Sequence, residues 1–243
     1  TWALFLTKPS DLGYPDIGYE LPELRVHEEV VSVDNSTAGT DRDGQVKMFR
    51  EAALGLADAA KERRDNMQEK IVRVVEIINR PENKDAHFLL WHDLENERKA
   101  LCDAIPGCKA VYGSQDDDEA DKVIADFKDG RLKYLAAKPE MLGEGLNFQY
   151  HCHKAIMFID YRFNDKFQAI ARIYRFMQQH PVELYLVYAE SEGEIFKSFM
   201  QKWAQHREMV AKMTDIVREN GLFGLQAEEK MMRWMFASRE EKS

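Results

Sequence analysis

Residues 155–188 read AIMFIDYRFNDKFQAIARIYRFMQQHPVELYLVY, and this stretch decides the fold. The apolar run Ala155–Ile159 is closed by Lys154 and Asp160 and has the length of a buried strand. Residues 166–176 then place Phe167, Ile170, Ala171 and Tyr174 at helical steps, and Glu183–Tyr188 returns to a strand. A strand, a helix-length segment and a second strand with no hairpin turn between them make a βαβ unit, whose strands run parallel. The same alternation extends upstream. Ala86–Trp91, Lys109–Tyr112 and Leu132–Ala137 read as strands, and 93–105 and 116–127 as helices, the latter led by acids that suit a helix N-terminus. A long helix is expected over 194–219. The fold class is α/β, a parallel sheet with helices on both faces.

The flanks read differently. Residues 1–42 hold three prolines and mostly acidic charge without helical period, and read as a connector. Residues 43–80 carry a helical pattern and form a helical extension; 81–220 make the α/β lobe, and 221–243 a C-terminal helical appendage. The 243 residues hold 44% hydrophobic and 32% charged positions, which excludes a disordered or fibrous chain. No run approaches the roughly 18 apolar residues of a membrane span. The chain opens at Thr1 without a basic leader, and is expected to be a piece of a longer protein. Cys102, Cys108 and Cys152 cannot form an even disulfide framework, so a reducing, cytoplasmic setting is expected. His151-Cys152-His153 lacks the second ligand pair of a zinc site and reads as ordinary strand-edge side chains.

Parallel α/β sheets bind ligands beyond the carboxyl ends of their strands. Two segments there carry chemistry. After the strand ending at Ala137, the loop Lys138-Pro139-Glu140-Met141-Leu142-Gly143-Glu144-Gly145-Leu146-Asn147 has two glycines that allow close backbone approach to a ligand, with Asn147 adding a side-chain hydrogen bond. On the helix expected over 166–176, Gln168, Arg172 and Arg175 fall at i, i+4 and i+7 and share a stripe, two fixed guanidiniums suited to phosphate oxygens.

In order, these segments resemble the second RecA-like lobe of a superfamily two helicase, nearest to Swi/Snf-type double-stranded DNA translocases and their phage and mobile-element relatives. The resemblance covers roughly residues 85–200. Phe88–His92 looks like motif IV, Val111-Tyr112-Gly113-Ser114 with the acidic helix after it like the following conserved stretch, Lys138–Asn147 like motif V, and Gln168–Gln178 like motif VI. Met177 stands where the family has glycine, and 139–142 lacks a glycine pair. The resemblance implies an ATP-dependent helicase or translocase lobe in which Arg172 and Arg175 are arginine fingers and Gln168 couples hydrolysis to closure. Gly143, Glu144, Gly145 and Asn147 would line the nucleotide side, and Lys138 and Ser114 would contact nucleic acid, double-stranded DNA.

The sequence contains no G-x-x-x-x-G-K-[ST], so ATP and Mg²⁺ would be held mainly by a missing N-terminal lobe, and the isolated chain is expected to be inactive. Asp118-Glu119-Ala120-Asp121 spells a DEAD box but opens an amphipathic helix, where its carboxylates would face solvent. Two alternatives remain. One is a non-catalytic α/β module binding a nucleotide by its own 143–147 loop; the other is an interaction scaffold using the N-terminal helices and Met231, Met232 and Met235. The net charge of −9 is uneven. Residues 131–175 hold eight basic against four acidic side chains, a net +4, which leaves room for a narrow basic cleft in an acidic protein.

Overall fold

The computed structural model describes residues 20–32, 66–142 and 146–220. The sequence-predicted helices before residue 66 and after 220, and Gly143, Glu144 and Gly145, lie outside them. The chain divides into two compact units, Leu21–Phe199 and a second made of Thr1–Glu20 with Met200–Ser243.

The first unit is a six-stranded, all-parallel sheet built from β1 (Leu24–Val31), β2 (His87–Trp91), β3 (Lys109–Val111), β4 (Tyr134–Ala137), β5 (Cys152–Phe158) and β6 (Val182–Ala189) in the order β1-β6-β5-β2-β4-β3. Among the described residues its α-helices are α1 (Met67–Ile78), α2 (Glu95–Ala104), α3 (Asp117–Lys128) and α4 (Phe163–Ile170), together with the start of α5 (Gly193–Asn220). In the second unit, the described residues are Glu20 and the remainder of α5, where Lys212 pairs with Glu208 at 2.7 Å one turn away.

The inner strands are apolar on both faces because both faces are covered. Phe88, Leu90, Ala136, Ile156, Phe158, Tyr185 and Val187 pack under α1 and α2 with Val74, Ile77 and Leu101. The alternate residues Leu89, Trp91, Leu135, Ala155, Met157, Leu184 and Leu186 point to the opposite face and are equally buried. There Tyr188 stacks on Phe196 at the start of α5, with ring centroids 4.6 Å apart, and Phe163 of α4 meets Phe199 edge-on at 5.4 Å. Each buried aromatic or aliphatic side chain contributes about 1.5–3 kcal/mol relative to exposure.

Local signals set the helix ends. Asp116 caps α3 by accepting from the Asp118 and Glu119 amides at 3.1 and 3.4 Å. The helix stops at Gly130, whose φ of +75° is a left-handed conformation that glycine adopts without strain. Glu97 ends α2 at its front by accepting from the Asp93 and Leu94 amides at 2.9 and 3.0 Å. A buried ion pair fixes α1 to the sheet: Lys70 Nζ lies 3.0 Å from Glu192, each side chain 1% exposed, and Glu192 also accepts from the Ala189 amide.

The five sequence-predicted strands are present, but the reading of 1–42 as a connector misses β1. This strand pairs in parallel with β6 along its whole length. Its charges are answered across the register: Arg25 sits opposite Glu183, and Arg25 and His27 both reach that carboxylate, at 3.3 and 2.5 Å. Glu29 takes Arg80 at 2.7 Å. An edge strand can carry such charge because only one side of it is paired.

Candidate functional site

The sheet order defines where a ligand can enter. From β2 the chain moves out through α2 toward β3, whereas from β5 it moves out through α4 to β6 on the other side. β2 and β5 are neighbours, so their loops part at the carboxyl edge and leave a crevice, the topological switch point.

An ionic network fills the base of that crevice. Asp93, just past β2, receives Lys166 Nζ of α4 and Arg162 Nη2 at 2.7 Å. The Lys166 side chain is wholly buried and that of Asp93 is 4% exposed. Arg162 also holds Asp160 at 3.0 Å, with Glu140 and Asp165 at 3.8 and 3.9 Å. Four carboxylates around one guanidinium leave it a clasp between loops and not an anion receptor. His92 lies beside this network, fully buried, with neither ring nitrogen hydrogen-bonded among the described residues. Burial pushes it down to about 4, against the nearby Glu97 and Asp93 carboxylates, so it is neutral at pH 7.

The segment leading into the amino end of β5 and the turn after α4 are bonded to each other. The expected helix over 166–176 is corrected here: α4 runs only Phe163–Ile170. Beyond it the Arg172 and Ile173 amides bond to Ala169 and Ile170 three residues back, a tightening that buries Ile173 completely. The i, i+4, i+7 stripe therefore does not exist. Gln168 is exposed on α4, while Arg172 and Arg175 stand on the turn. Arg172 Nη2 donates to Leu142 O at 3.1 Å, its carbonyl accepts from the Phe148 amide at 3.2 Å, and Arg175 Nη1 donates to Asn147 Oδ1. Gln149 donates to Phe176 O at 3.3 Å. Gln178, buried, closes the turn by donating to Ile173 O and Cys152 O at 3.1 and 3.0 Å.

Met177 has φ +68°, the single positive value outside glycine among the described residues. The turn thus holds the left-handed geometry at the position where the resemblance leads one to expect glycine.

Lys138, half-buried, follows β4, and exposed Ser114 follows β3 on the adjacent strand. Their loops touch, since a Cβ at Gly113 would meet Met141 Sδ at 3.9 Å. Asp118, Glu119 and Asp121 are exposed in the opening turns of α3, as expected for a motif in name only. Among the described residues no group of three or more His, Cys, Asp or Glu side chains could hold a metal.

No protein-family model and no curated protein matches the chain. Among solved structures, the C-terminal part of the Fun30 ATPase domain is similar with a TM-score of 0.54 at 11% identity, covering 74% of this chain and 90% of that one. S. cerevisiae Dbp5 bound to Gle1 aligns with a TM-score of 0.48 at 11% identity over 76% of this chain and 40% of that one, and the Dbp5 C-terminal domain with 0.46 at 13% over 62% and 94%. The fold is RecA-like. In this RecA-like fold, Arg172 is bonded to Leu142 and Phe148, and Arg175 to Asn147, so the turn after α4 is joined to the described ends of the loop after β4. No hydrogen bond links Lys138 or Ser114 to that arginine turn among the described residues.

Asp93, Arg162 and Lys166, which tie the loops at the switch point, were not singled out from sequence. The usable signal was positional: Asp93 lies two residues past one central strand, and Arg162 four past the other. No described helix is long and apolar enough to cross a membrane.

Proposed function

We propose that this chain is the C-terminal lobe of an ATP-dependent DNA helicase or translocase of the Swi/Snf type, acting on double-stranded DNA, with the P-loop and Mg²⁺ ligands on a second lobe. The observation that carries the reading is the pair Arg172 and Arg175 on one turn after α4 of a RecA-like sheet, both bonded to the loop after β4. Guanidiniums offer planar, permanently charged donors that match phosphate oxygens and stabilise charge developing in phosphoryl transfer. ATP, when bound, supplies the phosphoryl group to be transferred; this chain supplies donors from the opposite wall.

In this structure both arginines are held by the loop. An arginine that exchanges Asn147 or Leu142 for a phosphate oxygen releases the segment starting at Lys138, and hence the nucleic-acid side of the loop, where Gly113, next to Ser114, faces Met141. That exchange couples the nucleotide state to the DNA grip, with Gln168 on the exposed face of α4 and Gly143, Glu144 and Gly145 in the intervening loop as the contacts toward the nucleotide. Lys138 and Ser114 contact the phosphate backbone, which positions without reading sequence.

The test uses the two-lobed protein. Arg175→Ala lowers ATP turnover by about 10³-fold or more while nucleotide binding is largely kept, as expected for loss of a finger, and the lobe alone does not hydrolyse ATP. Unchanged turnover in the variant, or appreciable turnover by the lobe alone, refutes the assignment.

A further inference from the structure

Cys102 lies in the last turn of α2, and Cys108 stands just before β3. Between them the chain turns back through Gly107 at φ +79°, closed by the Cys108 amide on Ile105 O at 3.0 Å. This brings the two sulfurs to 3.8 Å, and both are free thiols. Cys102 is partly exposed and Cys108 buried. The third cysteine, Cys152, is enclosed in β5 against His87 O and Lys154 O. Contact with the Cys108 thiol draws Cys102 down to about 7 despite its burial, helped by the Arg98 guanidinium, while Cys108 is pushed up. Cys102 is thus the thiolate that attacks, and Cys108 the thiol that resolves.

We propose that Cys102 and Cys108 form a redox-modification site, which a small disulfide of the glutathione type converts to an intramolecular disulfide. The Cys102 thiolate attacks one sulfur of the oxidant, breaks its S–S bond and releases one thiolate, leaving a mixed disulfide. Cys108 then gives up its proton to water and attacks the Cys102 sulfur, displacing the second small thiolate. Two protein thiols are oxidised and one disulfide is reduced to two thiols. Side-chain rotation closes the gap to the bonded distance of about 2.05 Å. The bond ties the end of α2 to the start of β3, the strand that leads into the Ser114 loop.

The test is incubation of the native chain with oxidised glutathione at neutral pH, followed by alkylation and mass spectrometry. The tryptic peptide Ala100–Lys109 contains both thiols. It loses two hydrogens, recovers them with a dithiol reductant, and Cys152 remains free. Cys108→Ser traps glutathione on Cys102, and Cys102→Ser leaves Cys108 unreacted. A wild-type protein that keeps both thiols, or that stops at a lasting glutathione adduct on Cys102, overturns the proposal.

Discussion

Replacing Asp93 by Asn tests whether charge holds the switch point together. In the folded protein the Lys166 ammonium is fully buried against Asp93, and Arg162 approaches the other carboxylate oxygen at 2.7 Å. Removing one partner of a buried pair costs about 3–5 kcal/mol, because the other charge stays desolvated. Asn keeps an acceptor oxygen, and Arg162 retains Asp160 at 3.0 Å. The loss therefore falls at the lower end, about 3 kcal/mol, on the order of 150-fold in the folding equilibrium. Lys166→Met leaves Asp93 its Arg162 partner and costs about 2 kcal/mol. The double variant removes both charges and should cost about 2 kcal/mol less than the sum of the two single losses. Urea unfolding of the four proteins, with the m-value checked for constancy, measures the cycle. Additive losses would show that the two groups do not sense each other, and the clasp account of α4 would fail.

His92 sets an acid limit. Its folded value of about 4 lies below the ordinary 6.5, so the unfolded chain takes the proton first. The stability this provides is complete above about pH 6.5 and is lost toward pH 4, up to about 3 kcal/mol. Urea midpoints across that range should flatten in His92→Leu, and an unchanged pH slope contradicts the argument. At Met177, Gly should stay within about 0.5 kcal/mol of wild type, relief of left-handed strain offsetting added chain entropy, whereas Val should cost about 1–2 kcal/mol; equal melting points for the two variants would remove the strain argument. Gly130→Ala combines φ +75° with a Cβ 2.9 Å from the His151 ring, while Gly107→Ala has φ +79° and nothing within 4 Å. The second should cost about 1–2 kcal/mol from strain alone, and the first clearly more; thermal melts that rank them equally would rule out the His151 contact as a cost.

The inner sheet was legible because parallel strands covered on both faces must be apolar throughout, as Phe88–Trp91 and Leu184–Tyr188 are. β1 was not, since an edge strand places its pairing information in another part of the chain. Glu23, Glu28 and Glu29 read locally as an acidic connector until their partners Arg25, Tyr188 and Arg80 are seen, with Glu183 across the register from Arg25. The arginine turn was half legible. Residue types and spacing picked out Arg172 and Arg175, but continuing the helix to residue 176 ignored what ends it. Ile173 must be buried, and Gln178 reaches back to its carbonyl from five residues on.

The end of α4 at Ile170 bears on the proposed function. Under the proposed function, a continuous helix would carry Gln168, Arg172 and Arg175 as one rigid stripe, and a change at a bound phosphate would reach the nucleic-acid side only by moving all of α4. With the helix closed at Ile170, the two arginines belong to a separate turn. That turn is pinned at one end by Gln178 on Cys152 O and at the other by α4, which the Asp93 network anchors beneath it. Such a turn can change its partners, Leu142 O and Asn147 Oδ1, while α4 and β5 stay fixed. Under the proposed function, Leu142 O and Asn147 Oδ1 are then the partners the arginines exchange, and the left-handed residue at Met177 sets the bend of their turn.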